Sequence, residues 1–204
     1  MYIHQCKLLH VHASRHYDRG VIICHNSPSP ISLWTTPTRG NEDVAARLVE
    51  RALGAGARRY FRCSQRSFPL AHSGKYFSVS HSLSLTAVVV ADVPIGVDVE
   101  ERLTSQACVD LAWAWSPGER AELQCQADVE HISTEIWTAK EAAGKALGMG
   151  LQALPCAIET SPVVEATAHR TIVMPCGRGT STYLDSHGVW HGKSHLRISW
   201  RHAL

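Results

Sequence analysis

Residues 128–148 read DVEHISTEIWTAKEAAGKALG. Asp128 can cap a helix start, and Gly148 supplies a stop. The spacing between them predicts a helix. Within it Trp137, Glu141, Gly144, Lys145 and Gly148 recur at three and four residues and share one broad face, while Ala142, Ala146 and Met149 face elsewhere. A Glu141–Lys145 pair on a solvated surface is worth only ~0.3–0.5 kcal/mol. The same face holds a tryptophan, which prefers partial burial. It also holds Gly144, which costs ~1 kcal/mol against alanine in a helix and persists where something must come close. Two readings follow, a surface ion pair or a catalytic face.

Outward from this helix, strands and helices are grouped rather than strictly alternating. GVIIC (20–24) reads as a short buried strand. NEDVAARLVERALGAG (41–56) reads as a helix capped by Asn41, with Val44, Leu48 and Ala52 on its inner face and Gly54 or Gly56 at its end. RRYFRC (58–63) and KYFSVS (75–80) read as strands. LTAVVVA (85–91) and IGVDVE (95–100), joined by DVP, suggest an antiparallel hairpin. SPGERAELQ (116–124) carries a start signal, with Ser116 as cap, Pro117 at the first position and Glu119 closing a capping box. Strand-like pieces follow in RTIVMP, STYLD and HLRISW. The pattern predicts an α+β fold. A seam at Asp92 to Pro94 divides it into an N-terminal α+β subdomain, 1–93, and a C-terminal one, 94–204.

Composition narrows the class. The 204 residues are 45% hydrophobic and 19% charged, as expected of a globular chain. A formal charge of +2 argues against sequence-blind nucleic-acid binding. The seven cysteines (6, 24, 63, 108, 125, 156, 176) are widely spaced with no CxxC pair. That excludes a zinc module or disulfide scaffold and fits buried thiols in a reducing compartment. Of thirteen histidines, two groups cluster at 4–16 and 187–202 without ligand spacing. They read as surface or hydrogen-bonded residues. The first residues lack a signal peptide's apolar core, and TAVVVADVPIGV is far short of the ~20 apolar residues that cross a bilayer. A cytoplasmic monomer with no membrane contact is expected.

Three short motifs carry chemistry. On the IGVDVE strand, Asp98 and Glu100 project together while Val97 and Val99 face the core. Two adjacent carboxylates repel unless a cation lies between them, and a hard ion such as Mg²⁺ takes carboxylates, phosphates and water. Alone, D-x-E also suits two solvated acids on an edge strand. FSVSHS (77–82) offers Ser80, His81 and Ser82, whose hydroxyls and imidazole can hold a phosphate, or can simply end a strand.

Taken in order, SVSHS, IGVDVE and WTAKEAAGK resemble the 4'-phosphopantetheinyl transferases, in particular the longer, surfactin-synthetase-activating type. That family's signature is a Gly-x-Asp-x-Glu strand, then about forty residues later an aromatic-Ser/Thr/Cys-x-Lys-Glu-x-x-x-Lys helix. Gly96, Asp98, Glu100, Trp137, Thr138, Lys140, Glu141 and Lys145 match it. The resemblance covers roughly residues 60 to 151 and favours the catalytic face. It implies two similar α+β halves in one chain, a pseudo-dimer with coenzyme A in the cleft between them. It implies transfer of the phosphopantetheine arm of coenzyme A to a serine of an acyl, aryl or peptidyl carrier protein, releasing adenosine 3',5'-bisphosphate. Asp98, Glu100 and Glu141 would hold Mg²⁺, with Mn²⁺ as the alternative ion. Glu141 would act as base, and Lys145 would neutralise the phosphate and assist the leaving group. His81 with Ser80 would bind the 3'-phosphate. The family often has a glycine–basic–proline turn before the histidine motif. SQRSFP (64–69) stands there, giving Arg66 the basic role, and Ser78 replaces a frequent asparagine. Carrier recognition is expected in 101–136. Two other classes stay open: another Mg²⁺-dependent phosphate-ester enzyme, or a non-catalytic coenzyme A or carrier binder.

Overall fold

A computed structural model describes residues 6–13, 18–24, 31–37, 42–64, 70–149, 155–162, 169–175 and 181–201. The fold is α+β. The first sheet uses β1 (Cys6–Ala13), β2 (Asp18–Cys24), β3 (Ile31–Thr36), β4 (Leu70–His72), β5 (Lys75–His81) and β6 (Thr86–Ala91). Its order is β1-β2-β3-β6-β5-β4, with antiparallel neighbours throughout. The second uses β7 (Ile95–Glu101), β8 (Glu159–Thr160), β9 (His169–Pro175), β10 (Ser181–His191) and β11 (Ser194–Arg201) in the order β7-β11-β10-β9-β8. Among the described residues β7 is an edge strand, paired with β11.

Alternation along the strands assigns the faces. Phe77 and Val88 of the first sheet pack under α1 (Glu42–Leu53) and α2 (Ala57–Ser64), against Ala45, Leu48, Val49, Ala57 and Phe61. Leu33, Ala87 and Val89 point the other way and meet Val97, Val99, Ile198 and Trp200 of the second sheet. α5 (Val129–Ala146) covers the far face of that sheet, with Ala139, Ala143 and Ala146 on Ile172, Met174 and Leu184. The layer order is therefore helices, sheet, sheet, helix. No described helix is long and apolar enough to cross a membrane.

The caps on α4 (Pro117–Gln124) and α5 form as their sequences predict. The Ser116 hydroxyl accepts from Glu119 N at 3.2 Å and Glu119 returns the bond to Ser116 N at 2.8 Å. Asp128 accepts from His131 N at 3.0 Å, and Gly148 follows the α5 C-cap at φ 73°. Asn41 lies outside the described residues.

Three expectations need correction. RRYFRC is not a strand but most of α2, because Ala57 and Phe61 lie one helical turn apart and bury together against α1. The buried face of α1 is centred on Ala45, Leu48 and Val49, and Val44 and Ala52 are only half-buried flanks. LTAVVVA and IGVDVE form no hairpin. Asp92 to Pro94 carry the chain from one sheet to the other, where the apolar faces of both strands meet. α3 (Ser105–Asp110), capped by Thr104, was not anticipated.

Beneath α5 lies a buried ion pair. Lys140 Nζ sits 2.6 Å from Glu119 Oε2 and donates to the carbonyls of Ala114, Pro155 and Ile158 at 2.8, 2.7 and 2.7 Å. Glu119 Oε1 accepts from the amide and hydroxyl of Thr160, both at 3.0 Å. Burial pulls the Lys140 pKa down and the Glu119 charge opposes it. The lysine thus ties α4, α5 and the 155–160 segment together. Lys140→Met removes the cation beside buried Glu119, and should cost about 3–5 kcal/mol in urea unfolding. The double variant Lys140→Met, Glu119→Gln should recover much of that loss; if the single variant unfolds like wild type, the clamp is not structural.

Candidate active site

The site starts from a glycine. Gly96 faces α5 so closely that a Cβ there would sit 1.9 Å from the Ala142 carbonyl oxygen and 2.7 Å from the Ala146 amide. β7 and α5 therefore meet backbone to backbone. Two residues on, on the same face, stands Asp98, and two further stands Glu100. α5 brings Glu141 and Lys145 to that edge.

Lys145 Nζ donates to Asp98 Oδ1 at 2.7 Å, to the Val97 carbonyl at 3.1 Å and to the Ser80 hydroxyl at 3.2 Å. Among the described residues, the other Asp98 oxygen, Oδ2, is buried without a hydrogen-bond partner. Glu100 is raised to about 7, by burial first and then by the charges of Asp98 and Glu141, with Lys145 opposing. Glu141 is also raised to about 7, by burial and then Asp98, against Lys145. The three carboxylates share one field, in which the Lys145 ammonium pairs with Asp98 and its charge opposes the rise at Glu100 and Glu141.

The free edge of β7 is closed by side chains. Ser78 Oγ accepts from Val97 N at 3.1 Å and Ser80 Oγ from Val99 N at 3.2 Å. Ser80 Oγ also donates to Asp98 Oδ1 at 2.9 Å. Two serines on β5 thus stand in for a missing neighbour strand. Ser80, expected at the 3'-phosphate, spends its hydroxyl on this seam. His81, the next residue, is exposed at the end of β5. Arg66 lies outside the described residues.

The oxygen donors suit a hard cation. Asp98 carries an orphaned buried oxygen, and burial with like charge works against ionisation of Glu100 and Glu141, both of which a cation would relieve. Among the described residues, no three His, Cys, Asp or Glu side chains are placed so that they could hold a metal ion. Of the C-terminal histidines, His195 is buried against the Thr138 hydroxyl at 2.7 Å. Burial first, then the charges of Arg197 and its neighbours, hold it well below the ordinary histidine range. It is a neutral packing residue.

Sequence reasoning missed the roles of Gly96, Ser78 and Lys140. The first two were legible only as a motif match and a departure from a motif. Lys140 was one more motif match until its burial was known.

Residues 94–193 match the model of the 4'-phosphopantetheinyl transferase superfamily. The match covers 100 of the 204 residues and supports a phosphopantetheinyl transferase family. No curated protein matches it. The matched stretch contains the whole β7–α5 unit with Asp98, Glu100, Glu141 and Lys145, while Ser80 and His81 precede it. The match supports phosphopantetheine transfer in general, an activity of that superfamily that uses coenzyme A and carrier proteins.

The Gly96 contact sets the register between strand and helix. Gly96→Ala should cost roughly 1–3 kcal/mol in urea unfolding, the range for overpacking, and should lower turnover as Lys145 is drawn off Asp98. A wild-type unfolding midpoint would show that strand and helix lie further apart than described.

Proposed function

We propose that the chain is a phosphopantetheinyl transferase of the longer, surfactin-synthetase-activating type. It moves the 4'-phosphopantetheine arm of coenzyme A to a serine of an acyl, aryl or peptidyl carrier protein. It works as a cytoplasmic monomer, with Mg²⁺ or Mn²⁺ held by Asp98, Glu100 and Glu141 and coenzyme A in the cleft between the halves. The observation that carries this reading is the gathering of those carboxylates, from a strand and a helix, into one field beside Lys145.

Bound there, the ion supplies charge neutralisation at the pyrophosphate. The chain's own groups do the rest. Glu141, half-buried at the edge of α5, takes the proton of the incoming serine hydroxyl, directly or through one water. The serine oxygen forms a bond to the phosphorus that carries the pantetheine, and the bond from that phosphorus to the adenosine bisphosphate oxygen breaks. Lys145 turns from Asp98 to meet the pyrophosphate as charge moves onto that leaving oxygen. Exposed His81, with Ser80, contacts the 3'-phosphate, and the Ser80 hydroxyl also holds β7 through the Val99 amide. Arg66 takes the basic role at a coenzyme A phosphate. Carrier recognition falls to 101–136, where a groove is lined by Cys108, Val109, Ala112 and Val129. Phosphoryl transfer needs positioning and electrostatics more than covalent help, which is what these groups provide.

The test is an incubation of the chain with Mg²⁺, coenzyme A and an apo carrier protein, read by intact mass. A gain of one phosphopantetheine on the carrier is expected. Hydrolysis without transfer would favour another phosphate-ester enzyme, and no reaction would favour a binder. Glu141→Gln, folded and metal-saturated, should lose roughly 10²-fold or more in turnover; near-normal turnover would remove Glu141 from the chemistry.

A further inference from the structure

One carboxylate outside this set joins the two sheets. Glu101, the last residue of β7, accepts on a single oxygen, Oε1, the hydroxyls of Ser82 at 3.0 Å, Ser84 at 2.6 Å and Ser194 at 3.0 Å. The backbone amide of Ser84 donates to the same oxygen at 3.1 Å. The Ser194 hydroxyl lies 2.9 Å from that of Ser82 and 2.8 Å from that of Ser84. The hydrogen bond from Ser84 is the largest influence holding the Glu101 carboxyl below its ordinary range. Hydrogen bonds to an ionised acceptor are the strong ones.

The partners come from two places in the chain. Ser82 and Ser84 belong to the turn between β5 and β6, which Ser82 N closes on the Leu85 carbonyl at 2.8 Å. Ser194 opens β11 and is the register partner of Glu101. The turn is otherwise exposed at Leu83 and Ser84. His81 immediately precedes Ser82, and Glu100 immediately precedes Glu101. The clasp therefore stands one residue from the proposed 3'-phosphate contact and one residue from the proposed metal carboxylates.

We infer that Glu101 is a positioning residue, whose carboxylate locks the turn carrying His81 to the strand carrying Asp98 and Glu100. It thereby sets the span between the 3'-phosphate and the pyrophosphate of bound coenzyme A. The inference rests on the reading of His81 above. Glu101 touches neither phosphate; it acts through the turn. A loosened turn leaves the carboxylates in place and lets His81 drift, so the loss falls on recognition of the donor more than on the transfer step.

The experiment compares transfer from coenzyme A and from dephospho-coenzyme A, which lacks the 3'-phosphate, in wild type, Glu101→Ala, Glu101→Gln and Ser84→Ala. Wild type should prefer coenzyme A. Glu101→Ala should raise the KM for coenzyme A roughly tenfold, the scale of a lost charged hydrogen bond. Its kcat should fall less than its KM rises, and the KM for dephospho-coenzyme A should move little, so the preference collapses. Glu101→Gln keeps an acceptor oxygen and should recover most of the preference. Ser84→Ala, on the exposed turn, should lose part of it without unfolding. Equal losses with both donors, or an unchanged preference in Glu101→Ala and Ser84→Ala, would overturn the inference. So would a wild type that transfers well from both donors, which overturns the His81 reading at the same time. A wild type that transfers from neither overturns the functional reading instead.

Discussion

The contact between Gly96 and the Ala142 carbonyl is the constraint on which the rest depends. A strand and a helix normally keep a layer of side chains between them. Here the absence of a Cβ lets the two backbones touch. That closeness lets Lys145, one turn beyond Glu141, reach past its own helix to Asp98 and to the Val97 carbonyl. Any larger residue at position 96 would lengthen every one of those contacts. The helix also has to be held from a second side, and the Lys140–Glu119 pair does so. The two lysines of α5 thus divide their work. Lys140 is sealed among carbonyls and fixes the helix, while Lys145 stays half-buried at the carboxylates.

The second constraint is the bare edge of β7. An unpaired edge strand invites unwanted pairing. This one is closed by Ser78 and Ser80, and farther on by the serine clasp at Glu101, so the first sheet is joined to the second through side chains and not through a continuous ladder. Ser80 contributes at both levels, since its hydroxyl satisfies the Val99 amide and also orients Asp98.

Much of this was legible in the sequence. The caps at Ser116 and Asp128 and the stop at Gly148 are local signals, and they hold because neighbouring residues satisfy the helix ends. Strand alternation puts Val97 and Val99 in the core and Asp98 on the other face, as a period of two requires. The failures were all tertiary. RRYFRC has strand-forming aromatics, yet its arginines and the spacing of Ala57 and Phe61 suit a helix once α1 offers an apolar face. The DVP link has the length of a hairpin turn, and only the packing of two apolar faces sends it between sheets. The burial of Lys140 and the closeness of Gly96 depend on elements far apart in the chain, so no local pattern could announce them.

The central claim is that the carboxylates of β7 and α5 form one cation site whose resting partner is Lys145. The most direct test is an anomalous-difference map from crystals grown with Mn²⁺ and coenzyme A. The account predicts one peak within coordination distance of oxygens from Asp98, Glu100 and Glu141, with the Lys145 ammonium moved from Asp98 to the coenzyme A pyrophosphate. A Mn²⁺ peak away from these carboxylates, with Lys145 still bound to Asp98 while coenzyme A is in place, would contradict it.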